Sequence, residues 1–273
     1  MSLLVKASKA GRQIVEVTPE SAGWTHVGFA AHRLADGEKV ELDTGERELC
    51  IVVLAGTVTV TAGDQVWQDI GGRSSVFEER APYAFYVPLE TRVSITASTT
   101  ASTTASGAGA EVALCSAPAT TRRPARLIEP ASMARSVRGK GANTRYVCDI
   151  LPQTAEADGL LVVEVVTPGG HSSSYPPHKH DSDNLPEESS LEETYYHRLN
   201  PEQGFAFQRV YTDDRSLDEA LAVENHDVVM VPRGYHPVTV PYGYDGYYLN
   251  VMAGPKRIWQ FKNDPAHDWL MSK

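Results

Sequence analysis

The sequence contains few cysteines, and their positions limit what they can do. Only three of the 273 residues are cysteines, Cys50, Cys115 and Cys148, and they stand far apart in apolar stretches such as LCIVVL and VALCSA. An odd number of widely spaced cysteines argues against a disulfide framework and against a thiolate metal site. Because cysteine is among the residues most often buried, the sequence predicts three buried thiols.

Positive charge and long hydrophobic runs are also scarce. The chain has 35 acidic and 25 basic residues, which gives a formal net charge of -10. Nucleic acids and anionic membrane surfaces bind concentrated positive charge, so neither is an expected partner. No apolar run approaches the roughly 20 residues that cross a bilayer, and the start MSLLVKASKAGRQ lacks the apolar core of a signal peptide. We therefore expect a cytoplasmic protein whose partner is a small molecule.

Helix signals are few, and short β-type runs dominate. Runs such as ELCIVVLAGTVTVTA, AFYVPL, TRVSITA, LLVVEVVTP and DVVMVP are rich in Val, Ile, Phe, Tyr and Thr and end at Gly, Pro, Asp or Asn. This pattern predicts an all-β sandwich or barrel. The strongest helix signal is SLDEALAV, where Ser216 and Glu219 have the spacing of a capping box, and it predicts a short helix.

The sequence also indicates how the chain is divided. APATTRRPARLIEP, dense in Pro and Arg, indicates a linker between two domains. On each side of it a strand, a turn and a returning strand are followed by a V-P dipeptide that opens a further strand, which indicates an internal duplication. We expect one β-barrel in residues 1–120, and the linker with a second barrel in residues 121–273. The Ala-, Ser- and Thr-rich segment 96–110 is expected to be a hairpin loop that buries little surface.

Four residues of the second half form a candidate metal site. His178 and His180 in PPHKH can project from the same face of a strand. Glu193 stands at the head of the strand TYYHRL, and His236 follows VPRG. Three imidazoles and a carboxylate suit a divalent metal such as zinc, manganese or iron and leave positions open for a substrate. The nearby Glu192 and Glu188 remain alternatives to Glu193.

These residues carry a resemblance to a known family. The His-x-His pair, the glutamate at a strand head and the third histidine after a Pro-x-Gly turn resemble the cupin metal signature. The blocks PPHKHD, ESSLEETYYHRLNPEQGFAFQRVYT, VVMVPRGYHPV, YYLNVMAGPKRIW, WTHVGF and GERELCIVVLAG resemble the 5-deoxy-glucuronate isomerases of bacterial inositol catabolism. That family is bicupin, so the resemblance implies two tandem jelly-roll barrels. Because Leu49 and Val93 stand where the metal-binding Glu and the third His would be, we expect the first barrel to be metal-free.

The resemblance also implies an activity. It is an aldose-ketose isomerisation of 5-deoxy-D-glucuronate to 5-dehydro-2-deoxy-D-gluconate, in which a divalent metal stabilises an enediolate as a Lewis acid and no organic cofactor is needed. A homo-oligomer is left open. Two alternatives are a metal-dependent cupin dioxygenase and a non-enzymatic, sugar-binding bicupin.

Several side chains could complete such a site. Tyr195 shares a strand face with Glu193, and Tyr248 shares one with Asn250, so both tyrosines are candidates for the group that moves the proton. A hydride shift through the metal would need no such base. For binding the substrate, Arg209 is the first choice to receive the carboxylate because of its bidentate fork. Further candidates are Asn250 and the basic residues of the RGKGANTR block, Arg138, Lys140 and Arg145.

Overall fold

In the computed structural model of the chain, β-strands dominate and helices are short. The structure describes residues 2–98, 103–104 and 107–272. The helices are an α-helix at Pro19–Ala22 and 3-10 helices at Pro130–Ser132, Gly141–Asn143 and Pro265–Ser272. The all-β class is confirmed, and so is the burial of all three cysteines, which are free thiols. Within the described residues, no helix is long and apolar enough to cross a membrane.

The strands follow one another along the whole chain. In the first half they are β1 Leu4–Val5, β2 Gln13–Val17, β3 Gly28–Leu34, β4 Lys39–Asp43, β5 Arg47–Ala55, β6 Thr57–Ala62, β7 Gln65–Gly71, β8 Ala84–Val87, β9 Arg92–Ala97, β10 Thr103–Thr104, β11 Gly107–Ala108, β12 Ala110–Pro118 and β13 Arg126–Ile128. In the second half they are β14 Ala134–Arg138, β15 Arg145–Leu151, β16 Leu161–Thr167, β17 Ser172–Ser173, β18 His178–Lys179, β19 Asp181–Asn184, β20 Glu188–Ser190, β21 Glu192–Asn200, β22 Phe205–Tyr211, β23 Asp218–Glu224, β24 Val228–Val231, β25 Val238–Thr239, β26 Asp245–Ala253 and β27 Lys262–Asn263.

Each half is a sandwich of a larger and a smaller antiparallel sheet. In the first half, the order β13-β8-β5-β12-β3-β2 packs against β4-β9-β6-β7. In the second half, β1-β24-β21-β26-β16-β15-β14 packs against β17-β25-β22-β23. Apolar side chains from both sheets fill each sandwich, for example Leu49, Ile51, Val60 and Ile95 in the first and Val163, Val210, Val223 and Val229 in the second.

The two large sheets pack against each other through a third apolar core. It contains Cys50, Val52 and Tyr86 from the first half together with Val162 and Leu249 from the second. Strand β5 therefore has one face in its own sandwich and the other in this interface. This explains why its sequence, LCIVVLA, is apolar at consecutive positions and does not alternate with polar residues.

Two short strands cross the predicted division of the chain. Strand β1 pairs with β24 of the second half, and β13 pairs with β8 of the first. The large sheet of the first half thus includes β13, from beyond residue 120. The large sheet of the second half includes β1, from the start of the chain. The division at residue 120 itself stays a prediction.

The helix predicted for SLDEALAV is wrong. These residues form β23, which pairs with β22 along its whole length. Burial alternates along the strand, with Leu221 and Val223 buried between exposed neighbours. Packing on the sheet therefore overrides the helix propensity of Leu, Glu and Ala. The N–H and hydroxyl groups of Ser216 donate to the carboxylate of Asp214 in the turn before the strand, so Ser216 caps no helix.

The predicted loop at 96–110 is only partly described. Residues 99–102 and 105–106 lie outside the described residues. Strand β9 before the segment belongs to the small sheet, and β12 after it belongs to the large sheet. The segment therefore connects the two sheets of the first sandwich, and β10 and β11 within it pair with each other.

Candidate metal centre

The fold brings three histidines together at one end of the second sandwich. His178 lies in β18, His180 follows that strand, and His236 follows the turn after β24. Nitrogen atoms of the three rings lie within 4.8 Å of one another. Glu193, the second residue of β21, joins them, since its Oε2 is 3.0 Å from Nε2 of His180 and 3.2 Å from Nε2 of His236.

Three members of the cluster are shielded from solvent, His178 is partly exposed, and the donor atoms fit a divalent metal. His180 and Glu193 are each 2% exposed, and His236 is 0% exposed. Among the described residues, Nε2 of His236 has no hydrogen-bond partner, because its contact with Glu193 lacks the geometry of a hydrogen bond. A buried polar atom without a partner is unfavourable, and a cation that accepts its lone pair would relieve this. Three imidazoles and one carboxylate are donors that zinc, manganese and iron all accept.

The charges in the cluster also favour a cation. Burial lowers the pKa of His178 well below its ordinary value, and the adjacent His236 and His180 lower it further. Burial acts to lower the pKa of His180, but the hydrogen bond and charge of Glu193 outweigh it and raise that pKa. For Glu193, burial acts to raise the pKa, but the contacts with His180 and His236 outweigh it and bring the pKa to about 2. Glu193 is therefore an anion beside at least one neutral imidazole.

Contacts behind the cluster orient its donor atoms. Nδ1 of His180 lies 3.2 Å and Nδ1 of His236 lies 2.8 Å from main-chain carbonyl oxygens. When Nδ1 donates to such an oxygen, Nε2 presents its lone pair to the cluster. The side-chain amide of Asn250 donates to Oε1 of Glu193 at 2.6 Å, so that Oε2 is the oxygen facing the histidines.

The other two glutamates that the sequence left open lie elsewhere. Glu192 projects from the opposite face of β21, and its carboxylate accepts hydrogen bonds from the backbone N–H groups of residues 25–27. Glu188 binds the ammonium group of Lys179. Their positions favour Glu193 as the carboxylate of the cluster.

A cavity of about 40 Å³ beside the cluster brings together most of the other candidate side chains. Arg145, Tyr195, Tyr248 and Asn250 line it. The hydroxyl of Ser174 lies 2.9 Å from that of Tyr195 and 3.4 Å from that of Tyr248. Burial raises the pKa of both phenols, so both are protonated hydrogen-bond donors.

Arg209 lies on the outer face of β22. Its guanidinium binds the carboxylate of Asp218 through two hydrogen bonds of 2.7 and 2.8 Å, and 47% of its side chain is exposed. The preceding residue, Gln208, points inward and contacts His197. Because alternate residues of a strand face opposite sides, Arg209 belongs to the outer surface, and Arg145 is the predicted arginine that reaches the cavity.

Arg138 of the RGKGANTR block also lines the cavity, together with Ser174 and Trp259, two residues that sequence reasoning missed. The guanidinium of Arg138 lies over the ring of Trp259, 5.5 Å from its centroid. These residues are far apart in the chain, so no spacing marks them. Their only signal was the occurrence of Arg138 in the RGKG stretch and of Trp259 in the RIW stretch.

The first sandwich has no carboxylate at the position that corresponds to Glu193. Leu49 occupies it, and Leu49 and Val93 are both buried in the apolar core of that sandwich. A cavity of about 420 Å³ opens there, lined among others by Leu49, Leu114 and His32. This cavity is larger, but within the part of the chain that the structure describes, the group of converging imidazoles adjoins the smaller one. We therefore assign the chemistry to the smaller cavity.

The two sandwiches and the histidine cluster define a cupin-type fold. A solved structure of Bacillus subtilis oxalate decarboxylase, in work on its Mn(II) centres, matches with a TM-score of 0.63 and 14% identity over 96% of this chain and 80% of that chain. The chain belongs to the KduI/IolB family, whose sequence model matches residues 3–270.

Relatives at higher identity are similar over almost the whole chain. The 5-deoxy-glucuronate isomerase of Geobacillus kaustophilus is 53% identical over 258 residues, which cover 94% of this chain and 90% of that protein. The crystal structure of an IolB-like protein from Salmonella typhimurium is 48% identical and matches with a TM-score of 0.94 over 99% of this chain and 100% of that chain.

Proposed function

We propose that this protein is an aldose-ketose isomerase that converts 5-deoxy-D-glucuronate to 5-dehydro-2-deoxy-D-gluconate in inositol catabolism. The observation that carries the proposal is the 53% identity to an isomerase of that name, over 94% of this chain. A buried cluster of three histidines and a glutamate beside a cavity with an arginine supports it, because the substrate is a small sugar acid. The cytoplasmic location expected from the sequence stays a prediction.

The metal-binding residues would be His178, His180, Glu193 and His236. A divalent metal held there supplies a Lewis acid for the carbonyl and hydroxyl oxygens of the open-chain sugar. Its identity among zinc, manganese and iron is left to measurement, and the manganese of the oxalate decarboxylase belongs to a protein of the same fold only. No organic cofactor is part of the proposal.

The remaining side chains of the cavity have separate tasks. Arg145 would receive the carboxylate of the uronate, because it lines the cavity and a guanidinium matches a carboxylate in shape and charge. The hydroxyls of Tyr195 and Tyr248, linked by the hydroxyl of Ser174, are the groups of this chain placed to exchange a proton with the substrate. Asn250 holds Glu193 through an N–H of its side-chain amide and also lines the cavity, so it remains a candidate for binding the sugar.

The test combines metal analysis with an isomerase assay on 5-deoxy-D-glucuronate. We expect the purified protein to contain a divalent metal and to form the ketose. His178→Ala, His180→Ala and His236→Ala should each lose metal and activity, because each removes one donor from the cluster. His171→Ala is the matched control, since His171 lies outside the cluster, and it should keep both.

Two outcomes would contradict the proposal. Oxygen uptake without ketose formation would favour the dioxygenase alternative. Binding of the uronate without turnover, at full metal occupancy, would favour the sugar-binding alternative.

A further inference from the structure

Two glutamates occupy equivalent positions in the two halves of the molecule. Glu48 and Leu49 are the second and third residues of β5, and Glu192 and Glu193 are the first two residues of β21. The strand registers make these pairs equivalent. Leu49 pairs with a valine that precedes a proline on β8, and Glu193 pairs with a valine that precedes a proline on β24.

The same registers relate the segments that these glutamates contact. On the other side of each strand, Ser116 links Leu49 to Gly28 at the start of β3, and Met252 links Glu193 to Leu161 at the start of β16. Residues 25–27 before β3 are therefore the counterparts of residues 158–160 before β16.

Each glutamate reaches across the interface to the other half and binds three consecutive backbone N–H groups. The carboxylate of Glu192 accepts from Thr25, His26 and Val27 at 2.8, 2.7 and 2.9 Å. The carboxylate of Glu48 accepts from Asp158, Gly159 and Leu160 at 2.7, 2.6 and 2.6 Å. Hydrogen bonds to an ionised carboxylate are among the stronger ones in proteins, so the two halves hold each other through a reciprocal clasp.

The two sides of this clasp differ in the residue that follows the glutamate. After Glu48 comes Leu49, which packs in an apolar core, and after Glu192 comes Glu193, which faces the histidine cluster. Neighbouring residues of a strand project from opposite faces, so fixing Glu192 on one face fixes the position of Glu193 on the other. The first residues of a strand are otherwise the ones most free to fray.

We infer that Glu192 is a positioning residue for the metal centre, and that the first half of the molecule, through the backbone of residues 25–27, fixes Glu193 at the histidine cluster. The inference rests on the metal site proposed above. The inference assigns the first half a role in the activity, although that half supplies none of the proposed metal ligands.

The test compares Glu192→Gln with Glu48→Gln in the full-length protein. Both variants remove one charge from equivalent sides of the clasp. Apo protein would be titrated with Mn²⁺ and, separately, with Zn²⁺ in a calorimeter, and unfolding temperatures would be recorded. We expect Glu192→Gln to weaken metal binding about tenfold or more, the size typical of residues that orient ligands. Glu48→Gln should lower the unfolding temperature and leave the metal affinity within about twofold of wild type.

Glu48 is fully buried, so a milder control is included for the case that Glu48→Gln does not fold. Tyr86→Phe removes the hydroxyl that donates to Glu48 at 2.6 Å and weakens the same side of the clasp. A second readout needs no metal. Hydrogen exchange of the amides of residues 193–195 in the apo protein should accelerate in Glu192→Gln and stay unchanged in the controls.

The outcomes separate this inference from the proposed function. Wild-type metal affinity in Glu192→Gln, or an equal loss in both variants, would overturn the positioning role. If the wild-type protein bound no divalent metal, the proposed site would fail, and the exchange experiment would still decide whether Glu192 holds the strand. Unchanged exchange at residues 193–195 would overturn the inference whatever the metal result.

Discussion

The two oxygens of the Glu193 carboxylate have different neighbours. Oε1 accepts the amide of Asn250, and Oε2 faces Nε2 of His180 and of His236. Asn250 therefore holds the carboxylate in the orientation that presents one oxygen to a cation. A single side chain outside the donor set thus decides which atom of Glu193 is available for binding.

Arg209, the first choice from the sequence, and Arg145, which lines the cavity, give a prediction at the scale of the residue. Arg145→Lys keeps the charge in the cavity but loses the planar fork, so the Michaelis constant for the uronate should rise about tenfold or more, with a smaller change in kcat. Arg209→Lys is the matched control and should leave both constants within about twofold of wild type, because Arg209 binds Asp218 on the outer face. Steady-state kinetics with both variants provide the check. A larger effect at Arg209 would place the substrate on the other face of β22.

Some site residues could be predicted from the sequence because their spacing is local. His178 and His180 are two apart, and a period of two puts them on one side of an extended chain. The choice between Arg209 and Arg145 had no such basis. It depends on which face of each strand looks into the sandwich, and in β22 the adjacent Gln208 and Arg209 put a polar side chain on each face.

At the scale of the element, the turn after β24 fixes the third histidine. The N–H of Gly234 donates to Asp181 at 2.8 Å, and its carbonyl oxygen lies 2.8 Å from Nδ1 of His236. Asp181 in turn binds Lys179, which stands between His178 and His180. This chain of contacts joins the segment with two histidines to the turn with the third.

The conformation of this turn requires glycine, and this leads to a prediction. Gly234 has φ +91°, and a Cβ there would lie 2.5 Å from the carbonyl oxygen of Tyr211. We expect Gly234→Ala to displace the turn and to destabilise the fold. It should also weaken metal binding about tenfold or more, as is typical when a contact that orients a ligand is lost. Calorimetric metal titration and thermal unfolding would measure both effects.

Gly243 provides the control for the backbone conformation alone. Its φ is +94°, and no described atom lies within 4 Å of a Cβ placed there. Gly243→Ala should cost about 1 kcal/mol of stability, from the left-handed conformation, and leave metal affinity unchanged. Equal losses of metal affinity in the two variants would mean that the contact with Tyr211 has no bearing on His236.

The sequence predicted most strands but misassigned β23, and the reason is physical. Leu221 and Val223 fit the inward side of a strand and also one side of a short helix, so a run this short satisfies both periods. Long-range pairing with β22 decides between them. Strands such as β5 were unambiguous because consecutive apolar, β-branched residues favour a strand with both faces buried.

At the scale of the whole molecule, buried ion pairs join the two halves. Arg73 of the first half binds Glu164 of the second at 2.9 Å, with both side chains under a tenth exposed. Glu111 of the first half binds Arg198 of the second at 2.6 Å. The presence of two similar sandwiches could be predicted from the repeated strand and V-P pattern. The contacts themselves could not, because they join residues far apart in sequence whose proximity depends on how the large sheets meet.

His226 lies in this interface, between groups of the two halves. Nδ1 is 2.6 Å from the hydroxyl of Tyr196 and 3.8 Å from Glu111, and Nε2 is 3.3 Å from the guanidinium of Arg33. Burial first, and then the charge of Arg198, lower the pKa of His226 to about 4, although Glu111 acts in the opposite direction.

The last prediction concerns that pH dependence in the metal-free protein. Because the pKa of His226 is lower in the folded than in the unfolded chain, the unfolded chain binds more protons between about pH 6.5 and pH 4. The stability that the neutral imidazole contributes is present above about pH 6.5 and is lost as the pH falls towards 4, by at most about 3 kcal/mol. His226→Asn removes the titrating group, and Asn tolerates the φ of +73° at this position. Urea unfolding of the apo protein at several pH values should therefore show that the free energy of unfolding falls less steeply with decreasing pH in the variant than in wild type. The other buried histidines contribute equally to both proteins. Parallel curves of stability against pH for the two proteins would show that protonation of His226 does not destabilise the folded state.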